Sequence, residues 1–281
     1  MTRDAPGPAV TDTVPTIGAW PAKAGRSPLR SVAVPTEHGG WGLTAEPVVL
    51  GLAVAPSIAG VCLGAAAILA FLARTPLRLV LVDRHRNRDL DRTALARRVL
   101  LIEVAAIVTL VATAAVTASG RFWCPAAIAA PLVATELWFD TRSRSRRLVP
   151  ELAGTYGICS VAAMILLAAG HPPSEATAAW LILAGRATTA IPHVRAQIAR
   201  LHQRPWSSRD LIVADVAAVA VAATAVVIDP AVAAGALVVV GVVAIQRMAA
   251  ATPVPAKVIG IRQTVLGLAV VAATAVGIHL A

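Results

Sequence analysis

Read for its alternation of apolar and polar positions, the 281-residue chain shows neither the period-two pattern of half-buried strands nor the narrow stripe of a surface helix. It shows long continuous apolar runs, divided by short polar connectors, as membrane-crossing helices require. The runs predict nine helices, at about 41–59, 60–82, 98–118, 122–139, 150–169, 176–192, 211–228, 231–245 and 264–281. Breakers separate them: "APS" at 55–57, "SGRFWCP" at 119–125, "GHPPSE" at 170–175 and Asp229-Pro230. Several runs fall short of the roughly 20 residues of a full crossing, so broken or tilted helices are expected, with the first and sixth the weakest.

Composition agrees. The chain is 57% hydrophobic and 14% charged, against about 25% charged in soluble domains, and so little polar surface cannot cover a soluble fold. The expected class is therefore all-α, a polytopic transmembrane bundle, with the lipid bilayer as its first partner. The first 36 residues, rich in Pro and Gly and lacking the apolar core of a signal peptide, read as a disordered cytoplasmic tail before a helical domain at 37–281. Three cysteines, Cys62, Cys124 and Cys159, lie in or beside apolar runs without CxxC spacing and read as small buried hydrophobes. Gly60 and Gly64 form a GxxxG pair, which either packs two helices closely or reflects composition alone.

The net charge of +10 does not mark a nucleic-acid binder, because the basic residues sit in the connectors rather than on one soluble domain. With the N-terminus inside, every Lys and Arg except Arg121 and Arg186 falls in the tail or on the cytoplasmic side. That asymmetry is the positive-inside pattern, and it predicts an inside N-terminus and an outside C-terminus.

Two charged stretches stand out. One, 74–98, contains "DRHRNRDLDR", where Asp83, Asp89 and Asp91 could hold Mg²⁺ while Arg84 and Arg88 grip phosphate oxygens. The plainer reading pairs each Asp with a neighbouring Arg. The other, 193–210, begins "HVRAQIARLHQR" and reads as a basic amphipathic segment along the interface, with Arg195 and Arg204 available to an anionic head group.

Inside the runs, Glu46, Glu103, Glu136, Arg186 and Asp215 are ionisable. Each such charge costs at least ~2.5 to 3.5 kcal/mol at the bilayer centre and is expected to face the bundle interior with a partner. Arg186 lies deepest, and Glu46 is its expected partner, as a functional centre or as a purely structural ion pair. Glu46 belongs to "PTEHGGWGLTAEP", 35–47. There Thr36 is a plausible N-cap, Glu37 lies in the first turn, His38 and Glu46 share a face, and Pro47 is expected to break the helix. With Trp41 beside them, these residues would line a cytoplasm-facing cavity, His38 or Glu46 serving as proton carrier; the alternative is an interfacial His bonded to a carbonyl.

At these residues the chain resembles the YwiC-like family of bacterial membrane proteins. The resemblance opens on "EHGGWGLTAEPVVLGLAVAPS" and continues through "FLARTPLRLVLVDRHR", "PELAG", "HVRAQIARLHQR" and "AKVIGIRQTVLGL". It implies a polytopic membrane protein and names no reaction. In architecture the chain also resembles the UbiA prenyltransferase superfamily: nine helices, the N-terminus inside, and charged loops after the second and sixth helices. That resemblance implies an Asp-rich motif for Mg²⁺ and diphosphate, for which Asn87, Asp89 and Asp91 would stand in part. The spacing departs from that motif, and the second Asp-rich motif is missing.

The sequence thus raises three readings. The first is binding or modification of an isoprenoid or other anionic-headed lipid, by prenyl transfer if it is catalytic. The second is a small-molecule or proton-coupled transporter, and the third a non-catalytic assembly subunit.

Overall fold

The computed structural model describes residues 28–33, 38–88, 90–142, 147–249 and 254–281. Those residues are helical, with no strand among them. A short helix, α1 (Pro28–Ala33), packs on α3 and α4 and buries Val32. It lies within the stretch read as a tail, whose other residues are outside the described ones. Nine longer helices follow: α2 (His38–Val54), α3 (Ile58–His85), α4 (Asp91–Thr117), α5 (Trp123–Thr141), α6 (Leu148–Ala168), α7 (Pro173–Leu201), α8 (Ser208–Ile228), α9 (Ala233–Ala249) and α10 (Ala256–Leu280). They answer one for one to the nine apolar runs. Six of them, α3, α4, α6, α8, α9 (with the 3₁₀ turn before it) and α10, are long and apolar enough to cross a membrane, which marks a membrane protein.

Short connectors join the helices, and most neighbours in the chain pack on each other, α3 on α4, α5 on α6, α6 on α7, α7 on α8 and α9 on α10. Three helix ends use a left-handed residue after the last turn: Asn87 (φ 50°) after α3, Gly170 (φ 87°) after α6 and Gln203 (φ 53°) after α7. The two following amides then fold back onto the last turn's carbonyls, as where Arg88 N–H donates to Asp83 O at 2.9 Å and Arg204 N–H to Ala199 O at 2.7 Å.

Helices α2 and α6 form the middle of the bundle. On one side lie α3, α4 and α5; on the other, α7 through α10. One core cluster joins α2 and α6 to the second group through Leu50, Leu166, Ile182, Val239 and Val270. The other joins them to α3 through Val48, Leu63, Val161 and Ile165. Small residues bring the helices together. A side chain at Gly60 would meet Ile165 of α6, and one at Gly64 would meet Val48 of α2. The GxxxG pair thus serves two different neighbours rather than one seam. Helix α4 is nearly bare, with Leu101, Ile102, Val108 and Val116 exposed, as a lipid-facing helix would be.

Three expectations need correction. Pro47 does not break the first long helix: α2 runs through it from His38 to Val54. The 74–98 stretch is not a free connector either, because Leu77 to Val82 extend α3 through Pro76 to His85 and α4 begins at Asp91. Likewise α7 passes Pro192 and continues to Leu201, absorbing the first half of the stretch read as interfacial. In each case proline removes a single backbone donor, and packing against neighbouring helices holds the rest of the turn.

Candidate functional site

Helix α7 is the least apolar of the long helices and the most enclosed, packed on by α2, α6, α8, α9 and α10. Along it Arg186, Thr189, His193 and Gln197 are all buried. Their spacing of three and four residues sets them on one face. They form a polar stripe sheathed by apolar helices, and two charged centres are built on it.

The first centre pairs Arg186 with Glu46 of α2. Arg186 Nη2 lies 3.0 Å from Glu46 Oε1 and donates to the backbone carbonyl of Gln263 in α10 at 2.6 Å. Arg186 is 2% exposed and Glu46 4%, so neither charge is offset by water. Gly267 makes the approach possible, since a Cβ there would fall on the Glu46 carboxylate and close to Arg186. The guanidinium is incompletely used: Nε has no hydrogen-bond partner among the described residues, and Glu46 Oε1 meets Nη2 without hydrogen-bond alignment. Cys159 of α6 is buried in the adjoining apolar cluster, and Tyr156, a turn earlier, bonds Thr188 of α7 at 2.7 Å. The pairing expected from the sequence is thus present.

The second centre lies about two turns further along α7. Asp215 of α8 accepts from Thr189 Oγ1 at 2.6 Å and from Arg247 Nε of α9 at 2.7 Å, and His193 Nε2 stands 3.1 and 3.2 Å from its two oxygens. Asp215 and His193 are buried; Arg247 is partly exposed. Nearby along the same helices, Gln197 Oε1 and both polar atoms of the Gln246 side chain are buried and unpartnered among the described residues, as is His193 Nδ1. Sequence reading singled out Asp215 but not Thr189, His193, Gln197 or Gln246. The polar stripe at helical spacing was available as a signal, but ending the sixth helix at Pro192 hid its second half.

The remaining candidate residues are dispersed. Asp83 is buried and locks α3 to α4, accepting from Thr93 Oγ1 at 2.6 Å and Arg92 Nη2 at 3.2 Å. Both carboxylate oxygens are taken within the hairpin, Asp91 is exposed at the start of α4, and Asp89 lies outside the described residues. No cluster of three or more potential metal-ligating side chains occurs among the described residues. Arg195 pairs with Glu151 of α6 at 2.7 Å. Arg84, Arg88 and Arg204 are exposed. Trp41 stacks edge-on against Phe71 of α3 at 5.1 Å. Glu37 and the side chain of His38 lie outside the described residues. Glu136 of α5 meets Arg74 at 2.9 Å, beside Asp140 at 3.1 Å from the same guanidinium.

The structure therefore gathers Glu46 and Arg186 but does not gather the Asp83 hairpin with Arg195. Helix α3 packs on α1, α2, α4, α5 and α6, whereas α7 packs on α2, α6, α8, α9 and α10. The two charged ends stand on opposite sides of the α2–α6 middle.

Comparison with known proteins adds a family. The family model described as YwiC-like protein matches residues 34–166. No curated protein matches the chain. No solved structure matches it either. The matched stretch runs from the approach to α2 nearly to the end of α6, so it holds Glu46 and Asp83 but stops short of α7 and its polar stripe. Over 34–166 the chain is YwiC-like, as "EHGGWGLTAEP" and "PELAG" indicate.

Proposed function

We propose that this protein, in the bacterial cytoplasmic membrane, moves a small anionic solute across the bilayer, and that Arg186 is the residue that receives it. The observation that carries this reading is the near-complete burial of Arg186 on an enclosed helix, held by a single carboxylate and one carbonyl while its Nε remains unpartnered. A buried intramembrane charge is costly and marks a solute or ion path more often than a structural prop. Glu46 keeps the guanidinium neutralised when no solute is present. A carboxylate or phosphate oxygen can take Glu46's place, because a planar guanidinium binds either in bidentate fashion.

The test is reconstitution in liposomes on a solid-supported membrane, challenged in turn with inorganic phosphate, sulfate and short mono- and dicarboxylates. Wild-type protein gives a transient current with at least one of them, and Arg186→Gln gives none. Silence of the folded wild type toward the whole panel overturns the reading.

A second reading, binding of an anionic-headed lipid such as an isoprenoid diphosphate, is favoured by a different observation. Exposed arginines flank the helix ends, Arg84 and Arg88 at the end of α3 and Arg204 and Arg209 between α7 and the first turn of α8. Close by, Arg200 stacks 3.6 Å over Trp206, the arrangement of an interfacial anchor. Native mass spectrometry with a prenyl diphosphate and with phosphatidylglycerol tests it. Retained lipid that is lost in Arg84→Gln/Arg88→Gln or in Arg204→Gln supports it, and no retention in the wild type removes it.

A further inference from the structure

We propose that His193 is the proton-binding residue of this chain, oriented by Asp215 so that Nδ1 is the atom that takes the proton. This rests on the transport reading above and names the ion that would accompany the solute.

The argument begins with Asp215. Its carboxylate already accepts from Thr189 and from the Arg247 guanidinium, the bonding pattern of an ionised acceptor. An anion can only accept, so His193 Nε2, at 3.1 Å, must carry hydrogen and donate. In the neutral ring the other nitrogen, Nδ1, is then a bare lone pair, and it is buried with no partner among the described residues. A carboxylate that fixes one imidazole nitrogen and leaves the other basic is the general arrangement for accepting a proton. The step balances simply: a proton from bulk water forms an N–H bond with the Nδ1 lone pair, and neutral imidazole becomes imidazolium.

Charge explains why this proton would be coupled to something else. Asp215 and Arg247 cancel, so the cluster with neutral His193 carries no net charge, and the protonated cluster carries one positive charge inside an apolar sheath. Several charged groups on the elements packed against α7 are engaged with one another, while Arg209 and Asp210 of α8 and Lys257 of α10 are exposed. On α2, Glu46 pairs with Arg186; on α6, Glu151 pairs with Arg195; on α8 and α9, Asp215 and Arg247 pair with each other. On α10, Arg262 adjoins Gln263, whose carbonyl Arg186 takes. The further carboxylate on these helices, Asp210, is exposed in the first turn of α8, so no buried carboxylate among these groups is spare to neutralise the added charge. An anion at Arg186 would do so, seven residues and so roughly 10 Å away along the helix. Gln197 lies one turn beyond His193 toward the C-terminal end of α7. Its Oε1 and both polar atoms of the Gln246 side chain are buried without a partner among the described residues and give the proton a polar approach.

The test is nitrogen NMR of protein carrying ¹⁵N-labelled histidine, in lipid nanodiscs, across the pH range in which it stays folded. His193→Gln identifies the signal. If that variant does not fold, replacing His38, His85, His171, His202 and His279 leaves His193 as the sole histidine. The expected result is a neutral ring protonated at Nε2 with bare Nδ1, gaining its second proton at Nδ1 as the pH is lowered. In Asp215→Asn, whose amide can either donate or accept, the preference for Nε2–H is lost. A ring protonated at Nδ1 in its neutral form, or one that stays singly protonated throughout, overturns the proposal. A titrating His193 without anion-driven current would overturn the transport reading alone, and anion-driven current with an inert His193 would overturn the proton site alone.

Discussion

Glu46 and Arg186 meet at 3.0 Å in the interior of the bundle, from helices 140 positions apart in the chain. Taking two charges out of water is unfavourable, and their attraction only roughly offsets that cost. Removing one partner is worse than removing both, because the survivor is left buried and uncompensated. Glu46→Ala is therefore expected to lose about 3–5 kcal/mol of stability. The double variant Glu46→Leu/Arg186→Met should recover most of that loss. Thermal unfolding in detergent, run as a double-mutant cycle, measures both. If the double variant were as unstable as the single one, the pair would not be the energetic unit described. If it were stable and still passed the solute, Arg186 would not be the receiving group.

Gly267 and Gly260 sit two turns apart on α10 and predict opposite outcomes. A Cβ at Gly267 would fall on the Glu46 carboxylate, whereas one at Gly260 would meet open space. Gly267→Ala must push Glu46 off Arg186 and should lower the unfolding temperature and abolish solute-driven current together. Gly260→Ala should be neutral or gain up to about 1 kcal/mol from the restricted unfolded chain. Equal behaviour of the two variants would mean that Gly267 has no special part in the centre.

Asp83 behaves as a lock within the α3–α4 hairpin, with Thr93 and Arg92 on its two oxygens. Thr93→Val keeps the shape of the side chain but leaves a buried carboxylate oxygen without its donor, at a cost of about 1–3 kcal/mol. Asp83→Asn should cost a comparable amount. Both losses should be the same with and without millimolar Mg²⁺ in thermal unfolding. A Mg²⁺-dependent stabilisation of the wild type that disappears in Asp83→Asn would restore the metal-binding reading of this stretch.

These expectations also show how far the chain could be read in advance. The nine helices were legible because continuous apolar runs in lipid leave few alternatives: backbone groups must be satisfied within the helix. The pairing of Glu46 with Arg186 was legible because a lone charge in such a run needs a partner and few were available. What misled was proline. Pro47 and Pro192 each look like a boundary, yet α2 and α7 pass through both. Stopping α7 at Pro192 placed His193 and Gln197 in an interfacial amphipathic segment and concealed the second centre. Nor could the chain alone show that Asp83 is consumed locally, since a carboxylate amid arginines reads equally well as a ligand cradle or as a set of ion pairs. Only the packing shows Asp83 buried against Thr93. The role of Gly154, in "PELAG", was also hidden. It gives the Glu136 carboxylate, bound to Arg74, room against α6.

Topology supplies the last prediction. Helix α7, at 29 residues, is about 43 Å long and exceeds the roughly 30 Å hydrocarbon core, whereas α2, at 17 residues, reaches only about 25 Å. Nine crossings place the two chain ends on opposite sides of the membrane, and the arginine asymmetry assigns the C-terminus to the outside. Alkaline phosphatase, active only outside, should therefore be active when fused after Ala281 and inactive when fused after Arg88, Arg142 or Arg204. If α2 dips in and returns without crossing, the end of α2 at Val54 lies on the same side as its start. The eight remaining helices then leave 55–57 and the C-terminus on one side. A cysteine introduced at Ser57 settles this with a membrane-impermeant thiol reagent: labelling from outside is expected, and protection from outside with labelling from inside would reduce the bundle to eight crossings. In that arrangement Glu46 would sit on a re-entrant segment, and the Arg186 centre would open to a single side.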